Sequence, residues 1–245
     1  MKYIYITFLL FFIGCSSSLP DESLPLADHL KIGMDFLDQG KFVKAQDEFQ
    51  FILSRGTGTD YGDDAQFFLA EAYFLNEQYM LSIQEYENLT RKMAFSPFFE
   101  KARFRICEAY RIESPNYYND QSYTEKALER YREFLDDFPE SKHSKTVSES
   151  MSVLRNKLAK KLYETGILYM KMDEFEPARM SFNQVIDLYY DTDIIESVHY
   201  EIIKSYLKQG DDKKARSHWI NKGRDSIKQE KLVLELTEVF SQKEM

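Results

Sequence analysis

Apolar residues recur along the chain at three- and four-residue spacing, and the recurrence itself repeats. GKFVKAQDEF (40–49) is followed by EQYMLSIQEY (77–86), SYTEKALERY (122–131), DEFEPARMSF (173–182) and GDDKKARSHW (210–219). Each stretch has a small residue sixth (Ala45, Ser82, Ala127, Ala178, Ala215) and an aromatic tenth (Phe49, Tyr86, Tyr131, Phe182, Trp219). A spacing of four places both on one face of a helix. Upstream of each lies a second helical pattern with its own small and aromatic pair: Gly33 and Phe36, Ala70 and Tyr73, Cys107 and Tyr110, Gly166 and Tyr169. In the fifth unit Ile203 occupies the small site. A small residue lets two helices approach, and the aromatic fills the space beside it. The pattern predicts an all-α fold, a tetratricopeptide-repeat superhelix of about five helix-turn-helix repeats.

The starts of the five stretches differ by 37, 45, 51 and 37 residues, so the middle of the array carries two excursions. One is the polar, Tyr-rich stretch 114–124, expected as a loop between the two helices of repeat three. The other contains Val147, Met151, Leu154, Leu158 and Leu162, which predict one long helix that closes repeat three and opens repeat four. A final helix around Lys231 to Phe240, with Leu232, Leu236, Val239 and Phe240 on one stripe, is expected to cap the array. The predicted organisation is a signal peptide over 1–14, a lipidated N-terminus and tether over 15–25, repeats one to three over 26–139, and the bridging helix, repeats four and five and the cap over 140–245.

The first residues follow another logic. Met1-Lys2 is a short basic start, Tyr3 to Ile13 is an apolar run of eleven, and Phe12-Ile13-Gly14-Cys15 has the form of a lipobox. Eleven residues fall short of the ~20 needed to span a bilayer. The reading is therefore a secretory signal cleaved before Cys15, which would carry a diacylglyceryl thioether and an N-acyl chain as a stable membrane anchor. Ser16 to Ser18 after it resemble an outer-membrane address. With Cys15 lipidated, Cys107 has no partner cysteine and is expected as a core thiol.

Composition narrows the chemistry. A formal charge of −9 argues against a nucleic-acid partner. His29, His143, His199 and His218 stand at no metal-binding spacing, GTGTDYG (56–62) lacks the Lys-Ser or Lys-Thr of a phosphate loop and reads as a turn, and no serine sits in a nucleophile elbow. Neither a cofactor beyond the lipid on Cys15 nor an enzymatic activity is expected. What a repeat array offers is a concave surface lined by the first helix of each repeat. Counting from the small residues, a peptide groove is expected at Glu71, Phe74, Phe104, Glu108 and Arg111, with Lys101, Arg105 and Arg111 as possible carboxylate partners.

Ser114-Pro115, Tyr118, Asp120-Gln121, Tyr123-Thr124 and Lys126-Ala127-Leu128 resemble a stretch of the BamD outer-membrane assembly lipoproteins, also called ComL or YfiO-like. FLDDFPESKHSKTV and RGTGTDYGDDAQFFLAEAYF are similar to two inter-repeat junctions of that family, which differs in often having Pro where Tyr190 stands here. The resemblance implies a non-enzymatic scaffold, lipid-anchored on the periplasmic face of the outer membrane. It implies as partners a BamA-like barrel protein, bound through its POTRA domains chiefly by the C-terminal repeats, and unfolded outer-membrane proteins received by the N-terminal repeats. A different repeat lipoprotein, scaffolding envelope or pilus assembly, is the alternative, and an enzyme or solute-binding lipoprotein is a third.

Overall fold

A computed structural model describes residues 20–242; residues 1–14, expected as a signal peptide, and Cys15 lie outside the described residues. The described chain is helical with no strand, as the periodicity predicts. It forms two compact units that divide at Phe99 and Glu100.

The first unit holds α1 (Leu26–Asp38), α2 (Phe42–Ser54), α3 (Gly62–Leu75) and α4 (Tyr79–Lys92). Ala45, Phe49, Ile52, Ala65, Leu69 and Ala72 form its buried centre, closed by Leu26, Leu30, Phe36, Leu53, Tyr61 and Tyr73. The small-residue rule is visible in atoms: a Cβ on Gly33 would lie 2.6 Å from the Phe49 ring. Burying a phenylalanine completely contributes about 2–3 kcal/mol, and here it requires a glycine opposite. Gly62 has a similar reason, because a side chain there would collide with the Thr57 carbonyl of the preceding loop.

The second unit holds α5 (Phe99–Glu113) from its second residue on, α6 (Ser122–Asp137), α7 (Ser144–Lys171), α8 (Phe175–Leu188), α9 (Ile195–Gln209), α10 (Asp212–His218), α11 (Arg224–Ser226) and α12 (Glu230–Gln242). The 28-residue α7 is the predicted long helix, about 42 Å from end to end at 1.5 Å per residue. It packs on α8 around Ala159, Met170, Ala178, Phe182 and Val185. A Cβ on Gly166 would lie 2.7 Å from Cδ1 of Phe182, so repeats one and four share one solution.

Four repeats turn between their helices in the same way. A residue with positive φ follows the first helix (Gly40, Glu77, Asp173, Gly210). The next N–H then reaches back to the carbonyl of the helix aromatic: Lys41 to Phe36, Gln78 to Tyr73, Glu174 to Tyr169, Asp211 to Tyr206. This is the Schellman closure, which satisfies carbonyls that the helix end leaves open. Repeat three replaces it with the predicted loop. Gln121, buried in that loop, donates to the carbonyls of Asn116 and Asn119 and accepts from Thr124 Oγ1. Lys157 and Lys161 of α7 donate to Ser114 and Asn119, so the excursion is fastened to the long helix.

Repeat five inverts the packing. The large residue, Ile203, sits on the first helix and is fully buried, while Ala215 and Gly223 supply the space opposite. Trp219 begins a π-type turn over Trp219–Gly223, in which the Arg224 N–H reaches the Trp219 carbonyl five residues back. The wider turn carries Gly223 against Ile203, where a Cβ would meet Ile203 Cδ1 at 3.0 Å. α12 then lays Leu236 and Phe240 on Ile203, Ala215 and Ile227, which is the capping role its stripe predicts.

Candidate functional site

The five residues expected to line a peptide groove are distributed over both units, and most of them are engaged in packing. Glu71 is buried on α3, where its carboxylate accepts the Tyr86 hydroxyl of α4. Phe74, three residues on, is half-buried edge-on to Tyr79. In the second unit Phe104 stacks on His143 at 4.0 Å and tilts against Phe134. Glu108 accepts from the Tyr131 hydroxyl and from Arg111, whose Nη2 lies 2.7 Å away. Burial pushes Glu108 upward, but the hydrogen bonds from Arg111 and Tyr131 outweigh it and hold the carboxyl below its ordinary range. Arg111 borders an open cavity. That cavity, of about 240 Å³, is also lined by Thr146, Glu149, Ser150, Val153, Leu154 and Lys157.

Glu71 and Glu108 therefore correct the expected groove. Counting outward from Ala70 and Cys107 puts both on the neighbouring face, but a fully buried tyrosine hydroxyl requires an acceptor. The correction exposes a rule inside the chain. Repeats two and three pair Tyr86 with Glu71 and Tyr131 with Glu108. Repeats one and four carry Phe49 and Phe182, and the residues after their glycines are Met34 and Ile167. Where the aromatic has a hydroxyl, the position after the small residue is a carboxylate. Where it has none, that position is apolar and the small residue is glycine.

Other polar groups are settled inside the helix pairs. Cys107 is buried, its thiol donates to the Arg103 carbonyl, and burial pushes its pKa up to about 12. Arg179 is buried between Glu176, Ser205 and the ring of Tyr206. His29 Nδ1 lies 2.6 Å from Glu48 within the first helix pair. Among the described residues no three His, Cys, Asp or Glu side chains are grouped to hold a metal ion, and no helix is long and apolar enough to cross a membrane.

One arrangement lies beyond what spacing could indicate. His199 on α9 and His218 at the end of α10 approach to 3.0 Å between Nδ1 and Nε2. Burial, then His199 and Lys222, hold His218 down at about 4, and burial also lowers His199. Both rings are therefore neutral at pH 7. As pH falls from 6.5 towards 4 the unfolded chain binds protons that the folded pair refuses, so stability rises with pH across that window and is lost on acidification. The expected loss between pH 7 and pH 4.5 is about 2 kcal/mol after allowance for the part exposure of His218. Melting curves of the wild type and His218→Gln check this: the variant loses that part of the acid sensitivity, and identical slopes would exclude it.

The surfaces thus described are those of helix pairs whose buried polar groups are mostly engaged internally, with His29 Nε2 and Thr59 Oγ1 as buried exceptions. The sequence model of the family described as YfiO, outer membrane lipoprotein, matches residues 26–218, from the first residue of α1 to the last of α10. The chain belongs to this family. An outer membrane protein assembly factor BamD from Rickettsia prowazekii is 26% identical over 206 residues, covering 80% of this chain and 79% of the relative. A protein of the same name from Caulobacter vibrioides is 22% identical over 210 residues, covering 83% and 68%. Among solved structures, a thermophilic TPR protein from Thermus thermophilus aligns with a TM-score of 0.38 at 16% identity, over 88% of this chain and 99% of that one.

Proposed function

We propose that this chain is a lipid-anchored assembly factor at the periplasmic face of the outer membrane, a non-enzymatic component of the β-barrel assembly complex. It would bind a BamA-like barrel protein through that protein's POTRA domains, and unfolded outer-membrane proteins on their way to insertion. The observation that carries the reading is the family match, which runs across the repeats from α1 to α10 instead of covering one of them. The lipobox ending at Cys15 supplies the anchor, and the two relatives named as assembly factors supply the process.

The carboxylates and aromatics engaged between helices in repeats two and three would leave binding to residues at the rim. Arg111, Lys157, Glu149 and the exposed Val153 line one cavity and would offer an extended polypeptide charges of both signs and an apolar contact. Glu71, Phe74, Phe104 and Glu108 would act by holding the helices that present such surfaces.

Depletion of the protein in its own cells is expected to lower the amount of folded barrel proteins in the outer membrane, read by their heat-modifiable migration. Undiminished folded barrels after depletion would contradict the proposal.

A further inference from the structure

The end of the first unit that receives the N-terminal segment also carries its most exposed aromatic. α4 ends at Lys92, and Met93, Ala94, Phe95, Ser96, Pro97 and Phe98 lead to α5. This short loop is held from three sides. Ser96 Oγ donates to Asp63 Oδ2 at 2.9 Å, the Phe98 ring stacks on Phe67 at 4.5 Å, and the Ser96 N–H bonds the Met93 carbonyl. Phe95 stands at the tip of the fastened loop with an exposure of 103%, between the exposed Arg91 and Lys92 on one side and Pro97 on the other. Phe98, three residues later, takes the core position of this loop, and Phe95 is left in water on a backbone fastened on both flanks.

The same end receives the chain from its N-terminus. Asp21 to Leu24 form a turn, closed by the Leu24 N–H on the Asp21 carbonyl, and Glu22 meets Arg55 at 3.4 Å in the connection after α2. Thr57, Gly58 and Thr59 of that connection line one open cavity with Met93, Ala94 and Phe95. The N-terminal turn, the α2–α3 loop and the Phe95 loop therefore share one end of the first unit. Only five peptide steps separate Pro20 from Cys15, and five residues fully extended span at most about 18 Å.

We propose that Phe95 is a second membrane contact, inserted at the interface of the phospholipid leaflet that holds the acyl chains of Cys15. This rests on the lipid-anchor reading above. A single aromatic would hold a free protein only weakly, but the anchor makes its insertion an intramolecular step at high effective concentration. Phenylalanine suits the apolar side of the headgroup boundary, and Arg91 and Lys92 stand where headgroup phosphates would meet them. Glu22, Asp60 and Asp63 at the same end offset those cations, so the contact is apolar in origin and only weakly dependent on salt. Its consequence is orientation: two attachment points would fix which end of the first unit faces the bilayer.

The test uses the full-length lipidated protein in vesicles of phosphatidylethanolamine and phosphatidylglycerol. Phe95→Cys is labelled with an environment-sensitive dye, and Met80→Cys, at the opposite end of α4, serves as the control. Cys107 does not interfere, being buried and protonated. The expected result is that the dye at position 95 is quenched by spin-labelled lipid and shielded from aqueous iodide at least about threefold relative to position 80, with little change on adding salt. Flotation of the unlabelled protein with the vesicles, and its loss in Cys15→Ala, report the anchor separately. Protein that floats while position 95 stays open to iodide overturns this inference and leaves the anchor reading standing. Full-length protein that fails to float overturns both.

Discussion

Phe182→Ala is expected to lower the stability of the second unit by about 4 kcal/mol, the upper part of the range for emptying a fully buried aromatic site. Phe182 is the central contact between α7 and α8, with no exposed surface and with Tyr163, Ala159, Ala178 and Val185 around it. The opposite change on the other helix gives a distinguishing signature. Gly166→Ala gains about 1 kcal/mol of helix propensity but drives a methyl group against the Phe182 ring. It should therefore destabilise where a glycine-to-alanine change in an ordinary helix stabilises. Combining Gly166→Ala with Phe182→Leu should recover part of both losses, because each relieves the other. Urea unfolding of the single and double variants checks the coupling. Additive losses would mean that the two side chains do not share one site.

The second large effect lies in repeat three. Tyr131→Phe removes the hydroxyl that Glu108 accepts and should cost about 2 kcal/mol, the scale of a hydrogen bond to a charged group. Replacing both partners, as Tyr131→Phe with Glu108→Leu, leaves no buried carboxylate to satisfy and frees Arg111, which reaches solvent. That double variant should fall within about 1 kcal/mol of the wild type. The pH dependence follows from the folded-state pKa of Glu108, which is lowered from its ordinary value of 4.5. Its stabilisation is fully present above that value and is lost as pH falls through the lower folded value. The Glu108→Leu background should therefore lose stability less steeply below pH 4.5 than the wild type. Equal acid slopes, or a double variant weaker than both singles, would refute the pairing.

These two sites show where the sequence was legible. Small and aromatic positions could be read because they obey one geometric period: Ala45, Ser82, Ala127, Ala178 and Ala215 are all buried, and Phe49, Tyr86, Tyr131 and Phe182 are fully so. The long helix and the capping helix were equally plain, since an apolar stripe keeps its phase. The carboxylates were misplaced because helical counting gives a direction and not a partner. Glu71 and Glu108 follow the small residue by one and look outward until the hydroxyl of the opposing tyrosine is considered. The signal was present in the alternation of tyrosine with phenylalanine at the tenth position, matched by glutamate or an apolar residue on the partner helix. Repeat five was hardest to read, because Ile203 breaks the small-residue rule and its compensation, Gly223, lies beyond a π-type turn that no period announces. The His199–His218 pair arises from the packing of α10 on α9, and nineteen residues of separation conceal it.

The measurement closest to the central claim is a mild-detergent pull-down of the full-length protein from its own membranes, with mass spectrometry of what accompanies it. The account predicts recovery of a large barrel protein bearing periplasmic POTRA domains, lost when residues 173–245 are deleted from a variant that still folds its first unit. Recovery of envelope or pilus components alone, with no barrel protein among them, would contradict it.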